Sequence, residues 1–143
     1  METEGHGAFS PTAQEHAAAP RNYGPLEDYN GNARITGPCG DTMEFWVAVW
    51  NGLVEDASFT TTGCGSSLAA GSMTTCLARG RALDTVMGIQ QEHVLAALGG
   101  LPEAARHCAL LSANTLRAAC EDYLAWAKSR GIALKPPTKK END

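Results

Sequence analysis

The strongest constraint on the fold is a pair of β-rich runs, "MEFWVAVW" and "LVEDASFTTT", joined at Asn51-Gly52. An Asn-Gly pair between two such runs is the best short-range signal of a two-residue hairpin turn, because both residues tolerate positive φ. Side chains alternate along a strand, so the first run has two faces. Phe45, Val47 and Val49 lie on one face, and Trp46, Ala48 and Trp50 lie on the other. The sequence therefore predicts an antiparallel hairpin whose first strand is covered on both sides or exposes an aromatic face.

The other segments predict one further strand and several helices. The segment "ARIT" (33–36) is a brief strand, and Ser66 or Ser67 can cap a helix that ends near Gly80. Shorter helical patterns follow in "ALDTVMGI" and "QEHVLAAL", and the last helix runs to about Arg130. Strands followed by helices predict an α+β fold, here a small three-stranded antiparallel sheet flanked by helices.

The chain is expected to form one domain. Its 143 residues are enough to bury a core without disulfide support. Ser10-Pro11 is a cap and first-turn pair typical of a helix start, and the polar tail "KPPTKKEND" has the composition of a disordered segment. We therefore expect a mobile N-terminus at 1–10, a single domain at 11–131 and a disordered tail at 132–143.

Charge and hydropathy exclude two classes of partner. The formal net charge is -5, so the chain lacks the clustered Lys and Arg that nucleic-acid binding needs. No run approaches the roughly 20 apolar residues that span a bilayer, which argues against a membrane partner. The acidic, polar start does not have the features of a signal peptide, so we expect a cytoplasmic protein whose five cysteines are reduced.

Sequence context divides the five cysteines into two kinds. Cys76 and Cys120 lie on apolar helical stripes, where a free cysteine usually acts as a small core residue. Cys39 and Cys64 instead lie in glycine-flanked loops at strand ends, and Cys108 lies beside His107 at a helix start. The second kind has no obvious role in packing.

These loop-type thiols leave three readings open. Together with Asp41 and His107 they form a set of soft and borderline metal ligands, although no Cys-x-x-Cys pair is present. They could also be unrelated structural thiols, or one could be a nucleophile with His107 as its base. His6 and His16, near the N-terminus, are expected to be solvated and not ligands, and His93, on a short helix, is expected to be structural.

Four segments carry a specific resemblance to a known family. "PRNYG", "GPCGDTM", "NGLVEDASFTTTGCGSS" and "LPEAARHC" occur in order and nearly without gaps from about His16 to Tyr123. In these segments the sequence resembles the scaffold proteins of iron–sulfur cluster assembly, the IscU and NifU N-terminal-domain family. The resemblance implies that Cys39, Cys64 and Cys108 hold a transient [2Fe-2S] cluster, with Asp41 or His107 as the fourth ligand.

The resemblance also implies a role and a set of partners. A cysteine desulfurase of the IscS/NifS type would deliver persulfide sulfur, with Cys108 as the acceptor, and iron and electron donors would complete the cluster. The chain would pass the cluster to apo iron–sulfur proteins and would not be an enzyme. It would be a monomer or a cluster-linked oligomer. The alternative within the superfamily is a zinc-bound sulfur acceptor or relay, and zinc can also occupy such a thiolate site in purified material.

Overall fold

The computed structural model describes residues 9–131. Of the predicted mobile start only Phe9 and Ser10 are among them, and the predicted tail, 132–143, lies outside the described residues. The elements in chain order are α1 (Pro11–Ala18), β1 (Gly31–Thr36), β2 (Thr42–Trp50), β3 (Leu53–Thr61), α2 (Ser66–Ala78), β4 (Arg81–Ala82), α3 (Leu83–Met87), α4 (Gln91–Leu98), a 3-10 turn (Glu103–Ala105) and α5 (Arg106–Ser129). The α+β class predicted from the sequence is confirmed.

The predicted hairpin is formed by β2 and β3. These strands pair antiparallel, and Trp50 opposite Leu53 closes the ladder around a two-residue turn. Asn51 has φ 55° and Gly52 has φ 77°, so both turn residues adopt the left-handed conformation that suits the twist of a hairpin. The register shifts by a bulge at Ala48/Val49, which bends the strand near its end.

The sheet has four strands, so the predicted count of three is wrong. Its order is β1-β2-β3-β4 with every pair antiparallel. The additional strand contains only Arg81 and Ala82, which pair with the start of β3. Gly80, with φ 82°, turns the chain back, and its N–H donates to the Val54 carbonyl. A strand of two residues leaves no alternation in the sequence, which explains why the pattern there predicted only a helix.

One face of the sheet carries the core. Phe45, Val47 and Phe59 are fully buried, and the Phe45 and Phe59 rings stack with centroids 5.8 Å apart. Helix α2 packs over β3, and α5 packs over β1 and β2. At Gly31 the approach of α5 is so close that a Cβ would lie 2.5 Å from the Ala119 carbonyl oxygen. On the opposite face Trp46 is still only 8% exposed.

Helix α1 is fixed to α2 by a buried histidine. The His16 side chain is 6% exposed, and its Nδ1 lies 2.7 Å from the Ser72 hydroxyl, which also accepts the Arg21 N–H. The expectation that His16 is solvated is therefore wrong, because α1 packs this residue against α2. Burial lowers the pKa of His16, the Arg21 charge lowers it further, and Glu15 opposes the shift.

The two cysteines assigned to the core have different environments. Cys120 is fully buried on α5, and this burial, with a smaller contribution from Glu121, raises its pKa to about 12. Cys76 is exposed in the last turn of α2, so its prediction is wrong. Residues 69–75 of this helix are all buried, so burial is not confined to the apolar stripe in the sequence, and the stripe did not indicate which side is exposed at the end of the helix. Among residues 9–131 no helix combines the length and apolarity needed to cross a membrane.

We predict that Gly71→Ala destabilises the fold. A Cβ at this position of α2 would lie 2.2 Å from Phe59 Cε2, a ring in the centre of the core. Overpacking of this kind costs about 1–3 kcal/mol, and we expect it to exceed the roughly 1 kcal/mol that alanine gains over glycine within a helix. Urea unfolding measures the effect. Gly88→Ala is the control, because its Cβ would be 3.4 Å from its nearest neighbour. A Gly71→Ala midpoint at or above wild type contradicts the packing.

We also predict a clear order of thiol reactivity in the folded, metal-free protein. Cys76 is exposed, whereas Cys120 is buried and its pKa of about 12 leaves almost no thiolate near neutral pH. Maleimide labelling followed by peptide mass spectrometry should modify Cys76 within minutes and Cys120 only after denaturant is added. Equal rates for the two thiols under native conditions would show that the α5 packing is not as described.

Candidate functional site

Two loops and one helix start meet at one end of the sheet. The β1–β2 turn (37–41) carries Cys39, and the β3–α2 loop (62–65) carries Cys64. Thr42 joins the bases of the two loops, because its N–H donates to Thr62 Oγ1 at 2.9 Å and its carbonyl accepts the Thr62 N–H at 3.0 Å. The first turn of α5 is the third segment.

The β1–β2 turn presents Cys39 to solvent. The Gly37 N–H donates to the Asp41 carbonyl at 2.8 Å, and the Gly40 N–H donates to the Gly37 carbonyl at 3.0 Å. Gly40 has φ 97°, and nothing lies within 4 Å of where its Cβ would be. The chain can therefore fold back tightly here, and Cys39 at the tip is exposed.

The β3–α2 loop has a different environment at each of its two glycines. Gly65, with φ 53°, is the residue before α2, and the space beside it is open. Gly63 is closely packed, since a Cβ there would lie 2.4 Å from Ser67 Oγ and 2.6 Å from Asp41 Oδ2. Only glycine at 63 lets the carboxylate and the hydroxyl pack against the loop. Cys64, between the two glycines, is exposed.

Cys108 lies in the first turn of α5 and is only 3% exposed. Its Sγ is 3.4 Å from Ser66 Oγ, 3.5 Å from Ser67 Oγ and 3.7 Å from His107 Nε2. Transfer of sulfur to a thiol needs access to its sulfur atom, whereas in this structure the start of α2 covers Cys108.

Ser67 connects Asp41 to Cys108. The Ser67 hydroxyl donates to Asp41 Oδ2 at 3.1 Å, and Ser67 Oγ also lies 3.5 Å from Cys108 Sγ. Ser67 is 1% exposed and Cys108 is 3% exposed, so the contact between them is shielded from water, whereas Asp41 is half-buried. The carboxylate of the β1–β2 turn and the thiol of α5 thus share a single hydroxyl as neighbour.

The structure brings together three of the five predicted ligands. Asp41, Cys108 and His107 form one contact group, whereas Cys39 and Cys64 lie on the two loops beside it with exposed side chains. In the described part of the chain, no three His, Cys, Asp or Glu side chains are arranged to hold a metal ion. The donor types nevertheless fit iron or zinc, because thiolates are the preferred ligands of both. Closure around a metal would require the two exposed thiols to turn inward.

Ser66 and Ser67 were predicted only as helix caps. The residue before α2 is Gly65, and no side chain caps this end of the helix. Both hydroxyls instead lie beside Cys108. The pair directly follows Gly-Cys-Gly, which is the one sequence signal that places it near the site.

Comparison with known proteins identifies the relatives of the chain. The family model described as NifU-like N terminal domain matches residues 8–130. The iron–sulfur cluster assembly scaffold protein IscU 1 of Archaeoglobus fulgidus is 38% identical over 116 residues, covering 80% of this chain and 76% of the relative. The iron–sulfur cluster assembly scaffold protein IscU of Aquifex aeolicus is 40% identical over 113 residues, covering 77% and 72% respectively.

Solved structures show the same fold. A protein from Fervidobacterium islandicum AW-1, described as an iron–sulfur cluster assembly scaffold for the SUF system, superposes with a TM-score of 0.68 at 17% identity, covering 82% of this chain and 99% of that one. A NifU-like N-terminal protein from Brucella abortus gives a TM-score of 0.64 at 18% identity, covering 81% and 94%. From the family model and the curated relatives together, this chain belongs to the NifU-like N-terminal domain family.

Proposed function

We propose that this protein is a scaffold on which iron–sulfur clusters are assembled. The observation that carries the proposal is the contact of Asp41, Ser67 and Cys108, which brings the Cys-Gly-Asp turn, the Gly-Cys-Gly-Ser loop and the His-Cys helix start to one place. The relatives described as iron–sulfur cluster assembly scaffold proteins support it. The protein acts as a carrier, in the cytoplasm, where thiols stay reduced.

Sulfur arrives as a persulfide on a cysteine desulfurase. The Cys108 thiolate attacks the terminal sulfur of the desulfurase persulfide, a new S–S bond forms on Cys108, and the desulfurase cysteine leaves as a thiolate. This transfer is redox-neutral. Reduction of each transferred sulfur to sulfide takes two electrons. For the oxidised [2Fe-2S] cluster, oxidation of one ferrous ion to ferric supplies one of them, and a separate electron donor supplies the other. An iron donor delivers the ferrous iron. Because Cys108 is 3% exposed, docking of the desulfurase must move the start of α2 aside.

The nascent cluster is held by thiolates from all three segments. Cys39 and Cys64 are exposed on loops that contain Gly40 and Gly65, so their side chains can turn toward Cys108. Asp41 or His107 completes the [2Fe-2S] ligand set as a weaker fourth ligand. Such a ligand is easily replaced by a thiolate of an apo acceptor, which suits a carrier that works as a monomer or as a cluster-linked oligomer.

Zinc binding is the alternative function. Three thiolates with one carboxylate or imidazole are also a good tetrahedral zinc site, and this donor set favours a zinc-bound sulfur acceptor or relay as second candidate. In that role zinc would hold the thiols in place, and one of them would carry the persulfide onward.

Metal and sulfide analysis separates the two functions. The protein is purified anaerobically and then incubated with a cysteine desulfurase, ferrous iron, cysteine and a thiol reductant as electron donor. The scaffold proposal expects iron and acid-labile sulfide in equal amounts, with [2Fe-2S] absorption and Mössbauer spectra. Firmly bound zinc that resists exchange, with persulfide but no cluster, would establish the relay instead.

We predict that substitution of Cys64 lowers cluster yield, whereas substitution of Cys76 or Cys120 does not. Cys64→Ser should abolish cluster formation, because serine is a poor ligand for iron. Cys76→Ser and Cys120→Ala should leave the yield nearly intact, since one thiol is on a distant exposed helix turn and the other is fully buried. The measurement is visible absorbance after reconstitution. Equal losses in all three variants would refute the division of thiols into ligands and bystanders.

We further predict that Asp41→Ala slows the loss of the cluster. A carboxylate is a hard, protonatable ligand of iron, and in its absence the imidazole of His107, adjacent to Cys108, can take its place. We expect absorbance under chelator to decay about 10-fold more slowly, within the range that ligand-sphere changes produce. Unchanged or faster decay in the variant would show that Asp41 is not the labile ligand.

A further inference from the structure

The start of α2 supplies two hydroxyls to the predicted ligands. Ser66 Oγ lies 3.4 Å from Cys108 Sγ, and Ser67 Oγ lies 3.1 Å from Asp41 Oδ2. A hydroxyl has one hydrogen to donate, and a carboxylate is a stronger acceptor than a thiol. The Ser67 hydrogen is therefore given to Asp41, and Ser66 remains the neighbour of the thiol. Asp41 and Cys108 thus each have a hydroxyl of their own as neighbour.

The Asp41 carboxylate is confined from two sides. Ser67 donates to Oδ2, and the Cα of Gly63 packs so closely that an added Cβ would be 2.6 Å from the same oxygen. Oδ2 is thereby engaged, which leaves Oδ1 to bind iron. A ligating carboxylate usually has such a hydrogen-bonding partner, which fixes the direction of its lone pairs.

His107 lacks a comparable arrangement with Cys108. Its Nε2 lies 3.7 Å from Cys108 Sγ, in the range of a weak contact to sulfur. The imidazole is half-buried at the beginning of α5, directly before the thiol in the chain. Within residues 9–131 this sulfur contact is the only hydrogen-bond contact of the imidazole, so the direction of the ring is less fixed than that of the Asp41 carboxylate, which Ser67 holds.

We propose that Ser67 is a positioning residue that holds the Asp41 carboxylate beside Cys108 and so makes Asp41, and not His107, the fourth group to meet the cluster. The inference rests on the proposed scaffold function. The buried Ser67 thereby determines whether the labile ligand, Asp41, or the firmer ligand, His107, takes the fourth position. Without the hydroxyl, Asp41 is no longer fixed toward Cys108, and His107 takes the fourth position.

The first experiment uses the metal-free protein. Ser67→Ala and Asp41→Ala should each lower the midpoint of thermal unfolding. The double variant should unfold no lower than the less stable of the two single variants, because both changes break the same Ser67–Asp41 hydrogen bond. Thr74→Val is the matched control. It removes another buried hydroxyl from α2, one that donates to the Ala70 carbonyl, and its effect should add to that of Asp41→Ala. Additive effects for Ser67 and Asp41 would overturn the proposal.

The second experiment uses the protein loaded with iron and sulfide. Ser67→Ala should slow cluster loss under chelator about 10-fold, as Asp41→Ala does, with no further slowing in the double variant. Thr74→Val should decay at the wild-type rate. Pulsed EPR of the reduced cluster should show a histidine nitrogen coupling in Ser67→Ala that is absent in wild type, and added His107→Ala should remove it.

The two experiments separate the failure of this inference from that of the proposed function. A wild-type protein that takes up no cluster refutes the scaffold function, while the metal-free experiment still decides whether Ser67 positions Asp41. A wild-type protein that takes up a cluster and loses it at the same rate as Ser67→Ala refutes the role of Ser67 alone. A histidine nitrogen coupling that is already present in wild type would likewise refute the role of Ser67 and leave the scaffold function intact.

Discussion

Burial of one sheet face beneath α2 and α5 is the constraint on which the rest of the structure depends. Phe59 packs against Gly71 of α2, and Gly31 packs against Ala119 of α5. The first turns of both helices lie at the same end of the sheet, because Ser66 and Ser67 contact Cys108, and Asp41 of the β1–β2 turn meets them there. Segments far apart in sequence therefore meet at Ser67 through the packing of the core and not through any local motif.

Local chemistry made the hairpin predictable and left other features hidden. Asn51-Gly52 allows positive φ at both turn positions, so this turn can be recognised without any tertiary information. The pairing of β4 depends instead on a turn at Gly80 that brings two residues against β3. The exposure of Cys76 could not be deduced for a similar reason. Where a helix is buried almost all round, periodicity does not indicate which side emerges at its end.

The sequence distinguishes the candidate site residues but does not predict their geometry. Glycines beside Cys39 and Cys64, and a histidine beside Cys108, distinguish these thiols by their sequence neighbours alone. The burial of Cys108, however, depends on how closely α2 approaches α5. The roles of Ser66 and Ser67 depend on the same approach, because a serine at a helix start is by sequence a capping residue. Because of tertiary packing, the two hydroxyls contact predicted ligands instead of capping the backbone of α2.

The polar contacts around Cys108 are weak compared with the binding of a metal ion, so they would not prevent metal uptake at the predicted ligands. A hydrogen bond to a charged group contributes about 1.5–3 kcal/mol to stability, whereas a metal bound by several thiolates and related ligands contributes about 10–16 kcal/mol in small zinc domains. Incoming iron can therefore displace the Ser66 contact to Cys108 at little relative cost. The Ser67 bond to Asp41 need not be displaced at all, because it engages only Oδ2. Under the proposed scaffold function, Ser66 covers the Cys108 thiol again once the cluster has left, and the sulfur returns to the buried position that it has in this structure.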